Sequence, residues 1–230
     1  MISFHNVSYT YPDSQKKILS EASFEVAKGD FAVVKGITGS GKSTILHLVS
    51  CEAKPDAGEI RIGEFELSHI KRKNIPLYRR TIGCVFQDFK LLEEKTVGEN
   101  VAFALEVQRK YKRDVIAKKT EEILERVGIA SDRDQFPREL SEGSRQRAAI
   151  ARALVTEPLI LVADGAASQL DDETASGIYS LLVSENIRGM TILLTTSTEH
   201  FFHVLPRSAK YFELRNRTVD KFLPVFLPVL

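Results

Sequence analysis

The nine residues Gly36-Ile37-Thr38-Gly39-Ser40-Gly41-Lys42-Ser43-Thr44 have the types and the spacing to hold a polyphosphate. Glycines let the backbone come close to an anion, so that successive N–H groups cradle phosphate oxygens. Lys42 then reaches the β- and γ-oxygens, and the Ser43 hydroxyl can ligate Mg²⁺. The flanks suit this chemistry. Phe31-Ala32-Val33-Val34 reads as a buried strand and Lys42 to Ser50 as a helix, which would aim its N-terminus at the anion. A merely flexible Gly/Ser loop would require neither flank.

Other elements must surround such a loop. Met1-Ile2-Ser3-Phe4-His5-Asn6-Val7 alternates as a strand does, Lys28-Gly29-Asp30 marks a break, and Gly58 to Gly63 suggests a hairpin. Ile82-Gly83-Cys84-Val85-Phe86 reads as a core strand ended by Gln87-Asp88. Between Asp114 and Val127, the positions Val115, Ile116, Ile123, Leu124 and Val127 share one helical face, and Gly128 stops the helix. Leu159 to Ala163, ending at Asp164, and Thr191 to Thr195 are apolar runs of buried strand length. Apolar strands alternating with helices imply a parallel sheet covered on both faces. The expectation is one α/β domain over 1–230. Residues 1–87 and 156–230 would form a mixed-sheet nucleotide core with an N-terminal antiparallel β subdomain, and 88–155 an inserted helical subdomain.

The chain has 230 residues, enough to bury a sizeable core. Its 32 Lys and Arg against 31 Asp and Glu leave a net charge of +1 and no global reason to expect nucleic acid as a partner. Local basic clusters, Lys71-Arg72-Lys73 and Arg79-Arg80, read as solvated faces. Cys51 and Cys84 lack metal-like spacing and fit free thiols in a reducing compartment. No signal-peptide layout and no apolar stretch of about 20 residues is present, so any membrane role is expected to run through a partner. The apolar tail 222–230 is expected to pack on the domain's own surface.

A second run, Leu140-Ser141-Glu142-Gly143-Ser144-Arg145-Gln146-Arg147, precedes a helix from Ala148 to Leu154. By itself it fits a helix capped by Ser141 equally well. With the glycine loop, the strand to Asp164 and Ser168-Gln169-Leu170-Asp171 in the same order, the chain resembles ABC-type ATPases over nearly its whole length. The resemblance implies several roles. Ser141 and Gly143 would meet the γ-phosphate across a dimer interface, Tyr11 would stack on adenine, Gln87 would link Mg²⁺ to the helical subdomain, and Asp164 would hold Mg²⁺ through water. Ser43, Gln87 and Asp164 would thus be the metal residues, and Lys42, Gln87 and Asp164 the catalytic ones. The cofactors implied are ATP and Mg²⁺.

Arg79 to Leu92 and Thr96 to Leu105 are most similar to the FtsE family of bacterial cell-division ATPases. That similarity implies a homodimer on the cytoplasmic face of the plasma membrane beneath a partner resembling FtsX, coupling an ATP cycle to septal peptidoglycan remodelling. Subunits of lipoprotein-release or efflux transporters share the skeleton and remain an alternative, as does a nucleotide-dependent scaffold. Partner docking is expected near Gln87 to Phe103, where Phe89, Leu91, Leu92, Val97 and Phe103 offer apolar anchors, some of them claimed by the subdomain core.

Three positions depart from the ABC pattern. Gly165 stands where the family has the glutamate that polarises water, Ser197 where it has a histidine, and Glu142 where it has the first glycine of Leu-Ser-Gly-Gly. Gly165 can neither orient water nor take its proton, a loss typically worth 10²–10⁴ in rate. Ser197 is short and uncharged, and His200 is not assumed to replace the missing histidine. Glu142 brings negative charge toward an anion. ATP binding is therefore expected with hydrolysis impaired.

Overall fold

The computed structural model describes residues 1–167 and 170–222. The chain opens with β1 (Ile2–Thr10) and β2 (Lys17–Val26), enters the core with β3 (Phe31–Lys35) and α1 (Lys42–Val49), then forms β4 (Ala57–Ile62), β5 (Phe65–Glu66), α2 (Ile75–Arg79) and β6 (Ile82–Val85). Three helices follow: α3 (Val97–Glu106), α4 (Arg113–Val127) and α5 (Glu142–Leu154). It returns through β7 (Ile160–Asp164), α6 (Asp172–Ile187), β8 (Thr191–Thr196), β9 (Lys210–Arg215) and β10 (Thr218–Phe222).

Two sheets result. The first, ordered β2-β1-β4-β5, is antiparallel throughout, matching the alternation read in the N-terminal segments. The second, ordered β10-β9-β3-β8-β7-β6, is parallel from β9 to β6, and β10 pairs antiparallel at its edge. Val33, Val34, Leu161, Val162, Leu193 and Leu194 are wholly buried, as strands covered on both faces require. The structure thus has the mixed-sheet α/β architecture expected. The final hairpin β9–β10 and the helix α6 carry weaker patterns and were not among the elements expected.

Helix boundaries follow local chemistry. Thr96 caps α3 in a reciprocal box: its hydroxyl accepts from the Glu99 N–H at 3.2 Å, and the Glu99 carboxylate accepts from the Thr96 N–H at 2.9 Å. Gly128 ends α4 in the left-handed region at φ 77°, as its position after the last apolar residue predicts. One hydrophobic core runs from Val97, Leu105 and Leu124 through α5 to Leu161 and Leu194, so α3 and α4 reach the sheet through α5. Of the proposed anchors, Val97 is buried and Phe89 and Leu91 lean on this core, whereas Leu92 and Phe103 are exposed. Residues 223–230, which include most of the apolar tail, lie outside the described residues, as do Ser168 and Gln169.

Candidate nucleotide site

The loop Gly36 to Gly41 joins the C-terminal end of β3 to the N-terminus of α1, at the edge where the parallel strands end. Gly41 caps α1 at φ 106°, a conformation L side chains rarely adopt, and a Cβ there would stand 2.6 Å from Ile18 Cγ2. A Cβ on Gly36 would stand 2.9 Å from the Leu214 carbonyl oxygen. The sequence thus uses glycine where the turn leaves no alternative. Lys42 Nζ donates to the carbonyl oxygens of Gly36 at 2.7 Å and Ile37 at 2.9 Å, folding the ammonium over the loop. Burial lowers the Lys42 pKa, and the negative charge of Asp164 opposes that shift. A polyanion in the loop would compensate the desolvated charge.

A cavity of about 260 Å³ opens beside the loop, lined by Thr38, Gly39, Gly41, Lys42, Ser43 and Thr44. Tyr11, Gln87, Asp164, Gly165 and Ser197 complete its wall, together with Ile18, which the sequence did not single out. The structure therefore brings together residues far apart in the chain. Gly36, Ile37 and Ser40 shape the loop without lining the cavity. Ser40 Oγ is buried with no hydrogen-bond partner among the described residues, a polar atom left within a loop suited to an anion. Tyr11 Oη and Thr44 Oγ1 share a hydrogen bond of 2.9 Å, which fixes the tyrosine ring at the mouth.

Asp164 is buried, and it accepts a hydrogen bond from the Thr195 hydroxyl on the neighbouring strand. Ser43, Gln87 and Asp164 offer oxygen donors on one wall, a set that fits a hard, partly hydrated cation shared with phosphate. Among the described residues Asp164 is the one carboxylate lining this cavity. An adjoining cavity of about 590 Å³ shares Ser43, Gln87 and Asp164 and adds His47 and Asp88.

Gly165 follows Asp164 at φ 56°, in the left-handed region, with its N–H donating to the Thr195 carbonyl at 3.1 Å. Glycine adopts this left-handed conformation without the cost a Cβ would bring. Ser197 is exposed on the loop after β8. An ion pair between Lys35, immediately before the glycine loop, and Glu199 holds that loop against β3. His200 points elsewhere, with Nε2 3.6 Å from Asp172 Oδ2, and does not line the cavity.

Ser141 and Gly143 are not in the cavity. Ser141 caps α5, accepting from the Ser144 N–H at 3.1 Å, and Glu142 is exposed in the first turn. A Cβ on Gly143 would stand 2.6 Å from Thr174 Cγ2, so the start of α5 lies close against α6. Sequence reasoning also missed Thr195, whose role depends on strand register, and Arg152, whose Nη2 donates to the Phe89 carbonyl at 2.7 Å just beyond Gln87.

Residues 19–168 match the family model described as ABC transporter. The chain belongs to the ABC transporter family of ATP-binding proteins. It is 42% identical to the cell division ATP-binding protein FtsE of Mycobacterium tuberculosis, over 87% of this chain and 86% of that one. FtsE of Bacillus subtilis is 40% identical, with 90% of each covered. The methionine import ATP-binding protein MetN of Carboxydothermus hydrogenoformans is 38% identical over 85% of this chain and 58% of its own. The fold superposes with a TM-score of 0.87 and 29% identity on a dimeric post-hydrolysis state of the ATP-binding cassette MJ0796 bound to ADP and Pi, covering 98% of this chain and 100% of that one. Among the described residues of this ABC protein, no helix is long and apolar enough to cross a membrane.

Proposed function

We propose that this protein is the nucleotide-binding subunit of a membrane-associated cell-division complex of the FtsE–FtsX kind, and that it binds MgATP while turning it over poorly. In this reading the loop amides and Lys42 bind the phosphates, Tyr11 stacks on the base, and Asp164, oriented by Thr195, fixes the ion side of the site. Ser43, Gln87 and Asp164 would hold Mg²⁺, which would neutralise charge on the β- and γ-oxygens. Two copies would complete each site across a dimer interface, Ser141 and Gly143 of one facing the loop of the other. The close fold match to a dimeric ABC cassette bound to ADP and Pi supports that arrangement. The protein would sit on the cytoplasmic face of the membrane, held there by a partner resembling FtsX.

The observation that carries impaired turnover is that, among the described residues, a single carboxylate lines the cavity. Asp164 already accepts the Thr195 hydroxyl and in this reading holds the cation, which would leave no carboxylate free to serve as base for the attacking water. Gly165 and Ser197 line the same wall and supply no second titrating group. Glu142 would further weaken closure of an ATP-bound dimer by repulsion. Because Gly165 and Ser197 act within this chain's own site and Glu142 on its partner's, a second copy would repair neither.

The deciding experiment measures MgATP binding and steady-state hydrolysis by the purified protein, alone and with a membrane partner resembling FtsX. Binding without efficient hydrolysis is expected, with the partner and ATP tightening each other by one common factor. Turnover by the protein alone at the ~1–10² s⁻¹ of competent enzymes would refute impaired catalysis. Equal ATP affinity with and without a verified partner complex would leave nucleotide as a structural ligand of a scaffold.

A further inference from the structure

No residue between Glu66 and Asp88 is acidic, yet 67–87 hold Lys71, Arg72, Lys73, Arg79 and Arg80. Five of the chain's 32 basic residues and none of its 31 acidic ones fall here, so the rest of the chain is net acidic and the charge is segregated. By sequence alone such a run is a solvated face. In the structure Lys71, Arg72 and Lys73 are all exposed, and among the described residues none of the three forms an ion pair. Glu66, the acid just before the run, is held by His69 at 2.8 Å. Arg79 and Arg80 line a groove beside β6 together with Arg152, and they donate to the carbonyl oxygens of Ser50 at 2.8 Å and Val107 at 3.2 Å, which leaves their charge in place. The same segment turns an apolar side chain outward. Leu77, in the middle of α2, is 55% exposed, and Pro76 beside it is exposed as well. The next residue, Tyr78, is fully buried, its hydroxyl donating to the Val49 carbonyl at 2.6 Å and its ring 5.3 Å from that of Phe65. Tyr78 thus pins the helix to the domain while Leu77 faces water. A 3₁₀ turn over Arg72–Asn74 runs directly into α2, and the spacings Lys73 to Leu77 and Leu77 to Arg80 place these three on one side of the segment.

We propose that this patch rests directly on the lipid surface, Lys71, Arg72 and Lys73 on the headgroups of anionic phospholipid and Leu77 in the interface, an inference that builds on the membrane-associated reading above. Charge draws a basic segment to such headgroups, and an apolar side chain beside it leaves water on arrival. No carboxylate of the chain fixes the orientation of Lys71, Arg72 or Lys73, which suits a diffuse negative surface better than a single carboxylate of set geometry. Each basic residue near such a surface strengthens binding about fivefold, so these three together supply about a hundredfold. That is a weak and reversible attachment. Attachments of this strength hold a protein stably only beside a second anchor, and a membrane partner would be that anchor, each raising the effective concentration of the other.

The test is cosedimentation of the full chain with vesicles at rising salt, for wild type, Lys71→Ala/Arg72→Ala/Lys73→Ala and Leu77→Ser. Wild type is expected to bind vesicles of equal parts phosphatidylglycerol and phosphatidylcholine at least about tenfold more tightly than vesicles of phosphatidylcholine alone, and salt should weaken the difference. The triple variant should lose most of that preference. Leu77→Ser should bind the anionic vesicles more weakly while keeping the salt dependence. Both variants should retain the wild-type MgATP affinity, because none of the four residues lines the nucleotide cavity. Wild-type binding indifferent to phosphatidylglycerol, or a triple variant with an undiminished preference, would overturn the lipid proposal and leave the membrane-subunit reading in place. A triple variant that instead loses affinity for a partner resembling FtsX in nanodiscs of phosphatidylcholine alone would make protein the occupant and overturn the proposal. Failure of the wild type to bind that partner, with the vesicle results as expected, would overturn the membrane-subunit reading and leave the lipid contact standing.

Discussion

Asp164 and Thr195 face each other across the parallel pair β7–β8, and the threonine hydroxyl donates to the aspartate Oδ1. The same hydroxyl lies 3.3 Å from the Gly165 N–H, so one side chain sets both the carboxylate and the turn that follows it. Thr195 is fully buried. Thr195→Val keeps the shape but leaves a buried acceptor unsatisfied, a loss of about 1–3 kcal/mol. The expected result is a lower melting temperature together with MgATP affinity reduced about tenfold or more, measured by calorimetric titration. Thr195→Ser should recover most of both.

Lys42 gives ATP binding a pH dependence of definite sign. Burial lowers its pKa in the unliganded protein, and bound phosphates would raise it again. Affinity should therefore be full below the unliganded pKa and decline as pH rises through it, with proton uptake on binding in that window. The decline should begin below the pH at which an ordinary lysine titrates. Lys42→Arg should flatten the profile, and Lys42→Ala should abolish binding at every pH. A wild-type affinity independent of pH up to about 10.4, the ordinary lysine value, would contradict this account.

Restoring the missing groups should raise turnover at a structural cost. Gly165→Glu with Ser197→His is expected to increase kcat, and more so with Glu142→Gly. At φ 56°, however, any residue with a Cβ at position 165 should lose about 1–2 kcal/mol. Gly165→Ala separates the two effects: it should lower the melting temperature as much as Gly165→Glu without any gain in rate. Asp88→Asn should leave the wild-type rate unchanged, since Asp88 belongs to the adjoining cavity. A large fall would identify Asp88 as a substitute base.

Ser141 has a visible task as the cap of α5 and a proposed one toward the γ-phosphate of a second copy. Ser141→Ala should cost about 1 kcal/mol of stability and also weaken ATP-dependent dimerisation. Ser141→Asp is a good cap and should preserve stability, yet it places a carboxylate where an anion is to bind. If sedimentation shows ATP-dependent dimers of the aspartate variant as tight as wild type, Ser141 is a cap alone.

The glycine loop, its strand and its helix were legible in the sequence because their chemistry is local: Gly41 is required by a positive φ within the turn itself, and Lys42 and Ser43 follow at fixed spacing on one helix. The apolar runs of β3, β7 and β8 and the stop at Gly128 were legible for the same reason. Tyr11, Gln87, Asp164, Gly165 and Ser197 could be assigned from the sequence only through their resemblance to the ABC pattern, since nothing in their spacing says that they share a wall. Tertiary structure put them on one cavity by ordering β3 between β9 and β8 and pairing Asp164 with Thr195. It also decided that His200 turns to Asp172, that three arginines meet on one groove, and that Gly165 adopts a left-handed backbone. Those outcomes depend on strand register and on helices packing across long stretches of chain, and neither is encoded in the pattern of neighbouring residues.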